Sequence, residues 1–421
     1  MKSVATMLQR YGGEGGNSNE IAPPVAGRKE RATSKCGVVQ KRTSQKTLAM
    51  TGRALCLCAA ILMGFTDGTC GGAPGREFAV IAYYNGHGRG LDAVPAGKLT
   101  HIIYSFLHLS GNRLVLNTQA DSAGIARLVS LREVNPRLKV LVSVGGWGGC
   151  APCSGAFSSE AGREEFARSA LELLRRVGAD GLDIDWEYPA IEGYPGHPFS
   201  PADRHNFTLL MRALREALGD RYELSFAAGG FTRCILESYE WTAISPLVNA
   251  VNVMTYDLVN ANSTTTGHLT PLYGTPGQEE SVVHAVHLLD SLGVPREKIV
   301  IGAAFYARLW EEVPDTNNGL FQPGRFFRFL SYRDIGGYLR QHDGFRTFLD
   351  TAAAAAYSYS ARDRLFATYD DVRSVALKAS FAMTMHLGGI MFWELSGDLP
   401  DHPLLEAIDS VRTASGKSRA P

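Results

Sequence analysis

The sequence predicts an α/β protein folded as a (β/α)8 TIM barrel, with a small α+β insertion after the seventh strand. Eight near-continuous apolar runs recur between residues 78 and 393, and such runs mark strands buried on both faces of a parallel sheet. Helical patterns lie between them, and strands alternating with helices build a sheet covered on its outside by helices. The alternative, a doubly wound open sheet, lacks its nucleotide-binding fingerprint, because no G-x-G-x-x-G follows the first run. In a barrel of this kind the working groups collect at the C-terminal ends of the strands.

The runs are 78–84, 99–107, 139–146, 180–189, 223–228, 251–256, 299–306 and 389–393. Phe166, Ala170, Leu173, Leu174 and Val177 make a stripe at helical spacing. Ser200-Pro201-Ala202-Asp203 reads as a capping box with Pro at the first helical position. It opens a helix whose apolar face is Phe207, Leu210, Met211, Leu214 and Leu218. Val282–Leu292, Val372–His386 and Pro403–Arg412 are further expected helices. Residues 311–368 are too long for a simple strand-to-helix loop and form the expected insertion. The barrel is expected over 78–415 with a tail over 416–421, and the chain is expected to fray from Thr413 to Pro421.

The chain has 421 residues, 45% apolar and 20% charged, an ordinary globular composition. Lys plus Arg equals Asp plus Glu at 42 each, which removes the case for nucleic acid or an anionic membrane as principal partner. Residues 1–49 hold nine basic and three acidic residues and no apolar period; they read as disordered or as sequence upstream of the true start. From Met50, Arg53 precedes an apolar run over 54–65, the shape of a secretory signal peptide and too short for a membrane span. The expected protein is therefore exported, with 50–77 as leader and linker, and monomeric. Cys70 after this run raises the idea of a lipid anchor, against a poor preceding Asp67-Gly68-Thr69. Among seven cysteines, Cys150 and Cys153 form one C-x-x-C with no second pair and no His at ligand spacing, so no metal is expected. A local disulfide and two free thiols both fit that pair.

The fourth run, Asp180-Gly181-Leu182-Asp183-Ile184-Asp185-Trp186-Glu187-Tyr188-Pro189, carries four acids. Residues two apart on a strand share a face, so Asp183, Asp185 and Glu187 line up while Leu182, Ile184 and Trp186 point the other way. Crowding and burial raise carboxylate pKa values and keep an acid protonated near neutral pH. Asp180 has the opposite parity and is expected to be structural.

This stretch resembles the DxxDxDxE signature of glycoside hydrolase family 18, the chitinases and their relatives. Met254-Thr255-Tyr256-Asp257 is similar to the family's M-x-Y-D, and Ser143-Val144-Gly145-Gly146-Trp147 to its S-x-G-G. Phe305-Tyr306-Ala307-Arg308 resembles F-Y-G-R with Ala for Gly. The first strand departs from many relatives: Asn85-Gly86-His87 follows Tyr84 without a nearby Trp.

The resemblance implies a barrel hydrolase needing no cofactor, acting on chitin or N-acetylglucosamine oligosaccharides. Family 18 is an exception among retaining glycosidases, in that the substrate assists. Glu187 would be general acid and then base. Asp185 would hold the substrate acetamide, Asp183 would pair with Asp185, and Tyr256 would hydrogen-bond the acetamide oxygen. Ser143 would support Asp183, Trp147 would stack on sugar beyond the cleavage point, and Trp393 would floor the site. Met254, Asp257, Tyr306 and Arg308 would line it, with Tyr83 approaching from the first strand. Two rivals stay open: an endo-β-N-acetylglucosaminidase of N-glycans with the same residues, and a non-catalytic lectin on the same fold, which would lack some of these acids.

Overall fold

The computed structural model describes residues 77–85, 91, 94–342 and 344–417. The N-terminal extension, the leader from Met50, Cys70 and Gly86-His87 lie outside the described residues. Strands run β1 Ala79–Tyr84, β2 His101–Ser110, β3 Arg113–Val115, β4 Lys139–Gly145 and β5 Gly181–Asp185. Next come β6 Glu223–Gly229, β7 Ala250–Met254, β8 Ile299–Ala304 and β9 Tyr306–Glu311. The series ends with β10 Arg325–Ser331, β11 Phe345–Asp350, β12 Ala355–Ser360, β13 Leu365–Tyr369 and β14 Gly389–Trp393.

Eight of these close a parallel barrel in the order β1-β14-β8-β7-β6-β5-β4-β2, with β1 pairing back onto β2. The expected TIM barrel is thus the fold. Its two faces separate by strand parity. Ile81, Tyr83, Ile103, Leu141, Ala227, Met254 and Met391 meet inside the barrel. Val80, Ala82, Ile102, Val142, Leu182, Ile184 and Phe226 point outward into the larger core beneath the helices.

The helix Glu160–Val177 starts at Ser159, whose hydroxyl accepts from Gly162 N, and stops at Gly178 with φ 71°. It buries the predicted Phe166, Ala170, Leu173 and Leu174. The helix Asp203–Leu218 begins later than the Ser-Pro signal implies, with Ala202 at its N-cap and no side-chain cap bond. The Ser200 backbone N–H still donates to Asp203 Oδ2 at 2.7 Å, so the signal closes a turn ahead of the helix. The helices Val282–Ser291 and Val372–Thr384 stand where periodicity placed them. The last helix runs Pro403–Lys417, past the expected stop at Arg412 and into the segment expected to fray.

Between β8 and the helix Val372–Thr384 lies a five-stranded antiparallel sheet ordered β10-β9-β13-β12-β11, with the helix Tyr332–Gln341 beside it. It spans β9 to β13, wider than the expected 311–368. β8, the seventh strand of the barrel along the chain, ends at Ala304, and the chain enters the second sheet at Tyr306. Cys150 and Cys153 form a disulfide, and Cys234 is free and buried.

Candidate active site

Asp183 sits fully buried at the centre of the barrel. Its carboxylate accepts from Ser225 Oγ at 2.6 Å, Ser143 Oγ at 2.8 Å, Tyr83 Oη at 3.1 Å and Asn252 Nδ2 at 3.1 Å. The four donors come from β6, β4, β1 and β7. Burial raises the Asp183 pKa, and these bonds pull against it. Hydroxyl and amide donors thus occupy both oxygens of Asp183, whose charge also acts on Asp185.

Asp185, the last residue of β5, is 4% exposed. Burial first, then the charges of Glu187 and Asp183, push its pKa well up. Its Oδ1 is buried with no hydrogen-bond partner among the described residues, a costly state unless a ligand completes it. Gly145 permits the close approach of β4 here: at φ 109°, a Cβ would lie 2.1 Å from the Asp185 carbonyl oxygen.

Glu187 lies just beyond β5 and keeps part of its surface open. Burial raises its pKa to about 7, the Asp257 charge adds to the rise, and the Tyr188 hydroxyl opposes it. The three acids therefore climb from the caged Asp183 through Asp185, with its unpartnered Oδ1, to Glu187 at the mouth. Asp180 stands apart: it pairs with Arg132 and accepts from Val140 N at 2.8 Å.

Tyr256, two residues past β7, packs with Met254 in the interior cluster. Gly302 makes room for it, since a Cβ there would lie 2.8 Å from the Tyr256 ring. Burial and the surrounding carboxylates hold the Tyr256 hydroxyl protonated. Asp257, at φ 56°, takes both arms of Arg308, Nε at 2.5 Å and an Nη at 2.6 Å. Tyr306 and Arg308 both come from β9, the first strand of the insertion, rather than from the barrel strand as expected. Trp393 ends β14 and stacks on Phe106 at 5.4 Å between ring centroids, with Tyr83 at 6.0 Å. Trp147 stands at the rim, 54% exposed, its ring edge-on to Tyr194 at 5.5 Å.

Asp183 and Asp185 on β5 and Glu187 just beyond it thus make a caged acid, an acid with an unpartnered oxygen and an acid that keeps its proton to about pH 7. The family model for Glycosyl hydrolases family 18 matches residues 79–398. The chain belongs to glycosyl hydrolase family 18.

Relatives within family 18 include chitinase A1 of Niallia circulans, 32% identical over 66% of this chain and 43% of that protein. The oviduct-specific glycoprotein of Mus musculus is 30% identical over 82% of this chain and 50% of its own length. The chain spans about half the length of these curated relatives. Among solved structures, a family 18 N-acetylglucosaminidase from Paenibacillus barengoltzii superposes with a TM-score of 0.72 at 36% identity, covering 80% of this chain and 100% of that one. Ostrinia furnacalis Group IV chitinase in complex with allosamidin gives 0.74 at 27% identity, covering 81% and 100%. The chain is a chitinase-like member of the glycoside hydrolases.

Ser225 and Asn252 belong to the Asp183 cage and escaped the sequence reading. Their signal was present: each is a polar residue at an interior-facing position of an otherwise apolar strand. Tyr188 beside Glu187 and Phe106 beneath Trp393 were also passed over. Among the described residues no group of three His, Cys, Asp or Glu side chains converges as a metal site, and no helix is long and apolar enough to cross a membrane.

Proposed function

We propose that this protein hydrolyses β-1,4 bonds between N-acetylglucosamine units of chitin or chitooligosaccharides, with retention and with help from the substrate's own acetamide. One observation carries the reading: the buried, unpartnered oxygen of Asp185 lies beside a Glu187 that holds its proton to about pH 7. The acetamide N–H of the sugar being cleaved supplies the missing bond to Asp185. Its carbonyl oxygen attacks the anomeric carbon as Glu187 protonates the departing oxygen, leaving an oxazolinium ion. Glu187, now a carboxylate, takes a proton from water, and that water opens the ring at the anomeric carbon. Tyr256 donates to the acetamide carbonyl oxygen and aligns it. Asp183 and its four donors hold the electrostatics beneath Asp185.

The likeness to the Paenibacillus N-acetylglucosaminidase favours a second reading, release of N-acetylglucosamine from shorter chains by the same residues. The likeness to oviduct-specific glycoproteins keeps a binding role in play, and the full set of acids argues for turnover. The test is hydrolysis of a chromogenic chitobioside, a chitooligosaccharide series and an N-glycan by wild type and Glu187→Gln. Cleavage of the chitin-type substrates, lost in the variant, is expected. A wild type that folds and cleaves none of them ends the hydrolase reading, and N-glycan cleavage alone moves the substrate to glycoproteins.

A further inference from the structure

Phe329 is 50% exposed on β10, the edge strand of the insertion sheet. An exposed large aromatic on an open edge calls for a reason. Its ring stacks on Tyr306 at 5.1 Å between centroids and 29° between planes. Tyr306 in turn meets Tyr256 edge-on at 6.0 Å, and Tyr256 and Trp393 pack in one cluster with Tyr306. Aromatic packing thus runs from the Trp393 floor, through Tyr256 and the buried Tyr306, to Phe329 at the solvent edge.

A β-bulge puts Phe329 there. Phe326 pairs with Trp310, but the register slips before Arg328, which pairs with Leu309, and Phe329 then faces Arg308. In regular pairing Arg328 would oppose Arg308, setting two cations side by side across the strands. The extra residue re-aims the strand. It turns a phenyl ring toward the face that carries Tyr306 and Arg308, and Arg328 lies instead over the Phe327 and Tyr338 rings at 4.8 and 5.4 Å. That face is fixed to the site, because Arg308 grips Asp257 with both arms.

The place of Phe329 around the barrel adds direction. β8, which leads into the insertion, and β4, which leads to Trp147, stand four places apart in the ring of eight strands. They lie across the mouth from one another, and Glu187 follows β5, next to β4. A sugar chain that rests on Trp147 and passes Glu187 reaches the insertion wall on the far side.

We propose that Phe329 is a sugar-stacking residue, binding an N-acetylglucosamine ring of a linear β-linked chain on the side of the scissile bond away from Trp147. The proposal rests on the substrate class argued above for the same cleft. A phenyl ring has no hydrogen-bonding tip, so it offers a sugar's C–H face a flat apolar surface and selects for chain rather than for one substituent pattern.

The experiment uses the Glu187→Gln protein, in which substrate stays intact, and measures binding of an N-acetylglucosamine hexamer by calorimetry. Adding Phe329→Ala is expected to weaken binding about five- to tenfold. Phe329→Trp is expected to restore it and Phe329→Leu not to, because only an aromatic face stacks on sugar. A prop beneath Tyr306 would behave otherwise, with Leu filling the space as well as Trp. Unchanged affinity in Phe329→Ala, equal rescue by Leu and Trp, or no hexamer binding with Phe329 intact overturns the proposal. Hydrolysis by wild type is scored separately. Phe329-dependent binding without any turnover would sink the hydrolase reading and leave this one standing.

Discussion

At the scale of single residues, Glu187 trades stability for a usable proton. Its ordinary pKa of 4.5 rises to about 7, chiefly because protein displaces the water that would solvate its charge. Catalysis needs the protonated form to meet substrate, so kcat/KM on a chitooligosaccharide should fall as pH rises through about 7. A flat profile to pH 9 would refute Glu187 as the acid. The same shift sets a stability effect. Between 4.5 and about 7 the folded protein holds a proton that the unfolded chain releases, so stability drops as pH climbs through that window. The rise corresponds to about 3 kcal/mol as an upper bound, less whatever the partly open surface of Glu187 returns to solvent. Glu187→Gln should therefore lose about 10²–10⁴-fold in turnover and yet melt above wild type at pH 8. The gap in melting temperature should close below pH 4.5, where both forms are neutral in either state. A variant that melts lower than wild type at pH 8 would contradict the buried-charge account.

At the scale of elements, the site is finished by a strand that does not belong to the barrel. Arg308 on β9 reaches Asp257 beyond β7 through two parallel bonds of 2.5 and 2.6 Å, a fork that a single ammonium cannot copy. Arg308→Lys keeps the charge and loses one arm. It should lower kcat/KM about five- to thirtyfold, measured on the oligosaccharide series, with the melting temperature little moved; wild-type kcat/KM would mean that the fork does not set Asp257. Sequence pattern could not place this strand. From Ile299 to Trp310 nearly every residue is buried, so no change of period marks the exit from one sheet at Ala304 and the entry to another at Tyr306. Elsewhere the pattern served well, because strict inside-outside parity made the apolar runs and the Asp183-Asp185-Glu187 row readable. It served less well for Ser225 and Asn252, whose role depends on four strands converging on Asp183, a contact that no local window contains. Helix ends shifted for a similar reason: Ser200 N–H donates to the Asp203 carboxylate as one half of a capping box would, but in the turn before the helix.

At the scale of the whole molecule, barrel and insertion are tied at more points than their two chain crossings. His268, fully buried beyond β7, bonds through Nε2 to Asp350 Oδ2 at 2.9 Å at the end of β11. Leu269 N donates to Thr368 Oγ1 on β13 at 2.9 Å. The deepest tie is Asp370, one residue past β13. It accepts from Ala304 N, at the point where the chain leaves the barrel, at 3.0 Å, and from Lys378 Nζ at 2.7 Å on both oxygens. Both partners are shut away from water, and Lys378 also donates to Thr270 Oγ1 at 2.6 Å. The exit of the insertion is thereby pinned to its entrance, and both to the loop that carries Tyr256. Removing one half of such a pair leaves a charge without partner or solvent, which costs about 3–5 kcal/mol. With these ties the two sheets should unfold together. Wild type is expected to show one calorimetric transition whose van't Hoff and calorimetric enthalpies agree. Lys378→Met should move that transition down as a unit, and Lys378→Met with Asp370→Asn should recover part of the loss by removing the stranded charge. Two transitions in wild type would show the insertion to be an independent module. A double variant no more stable than the single one would mean that the buried pair is not what joins it to the barrel.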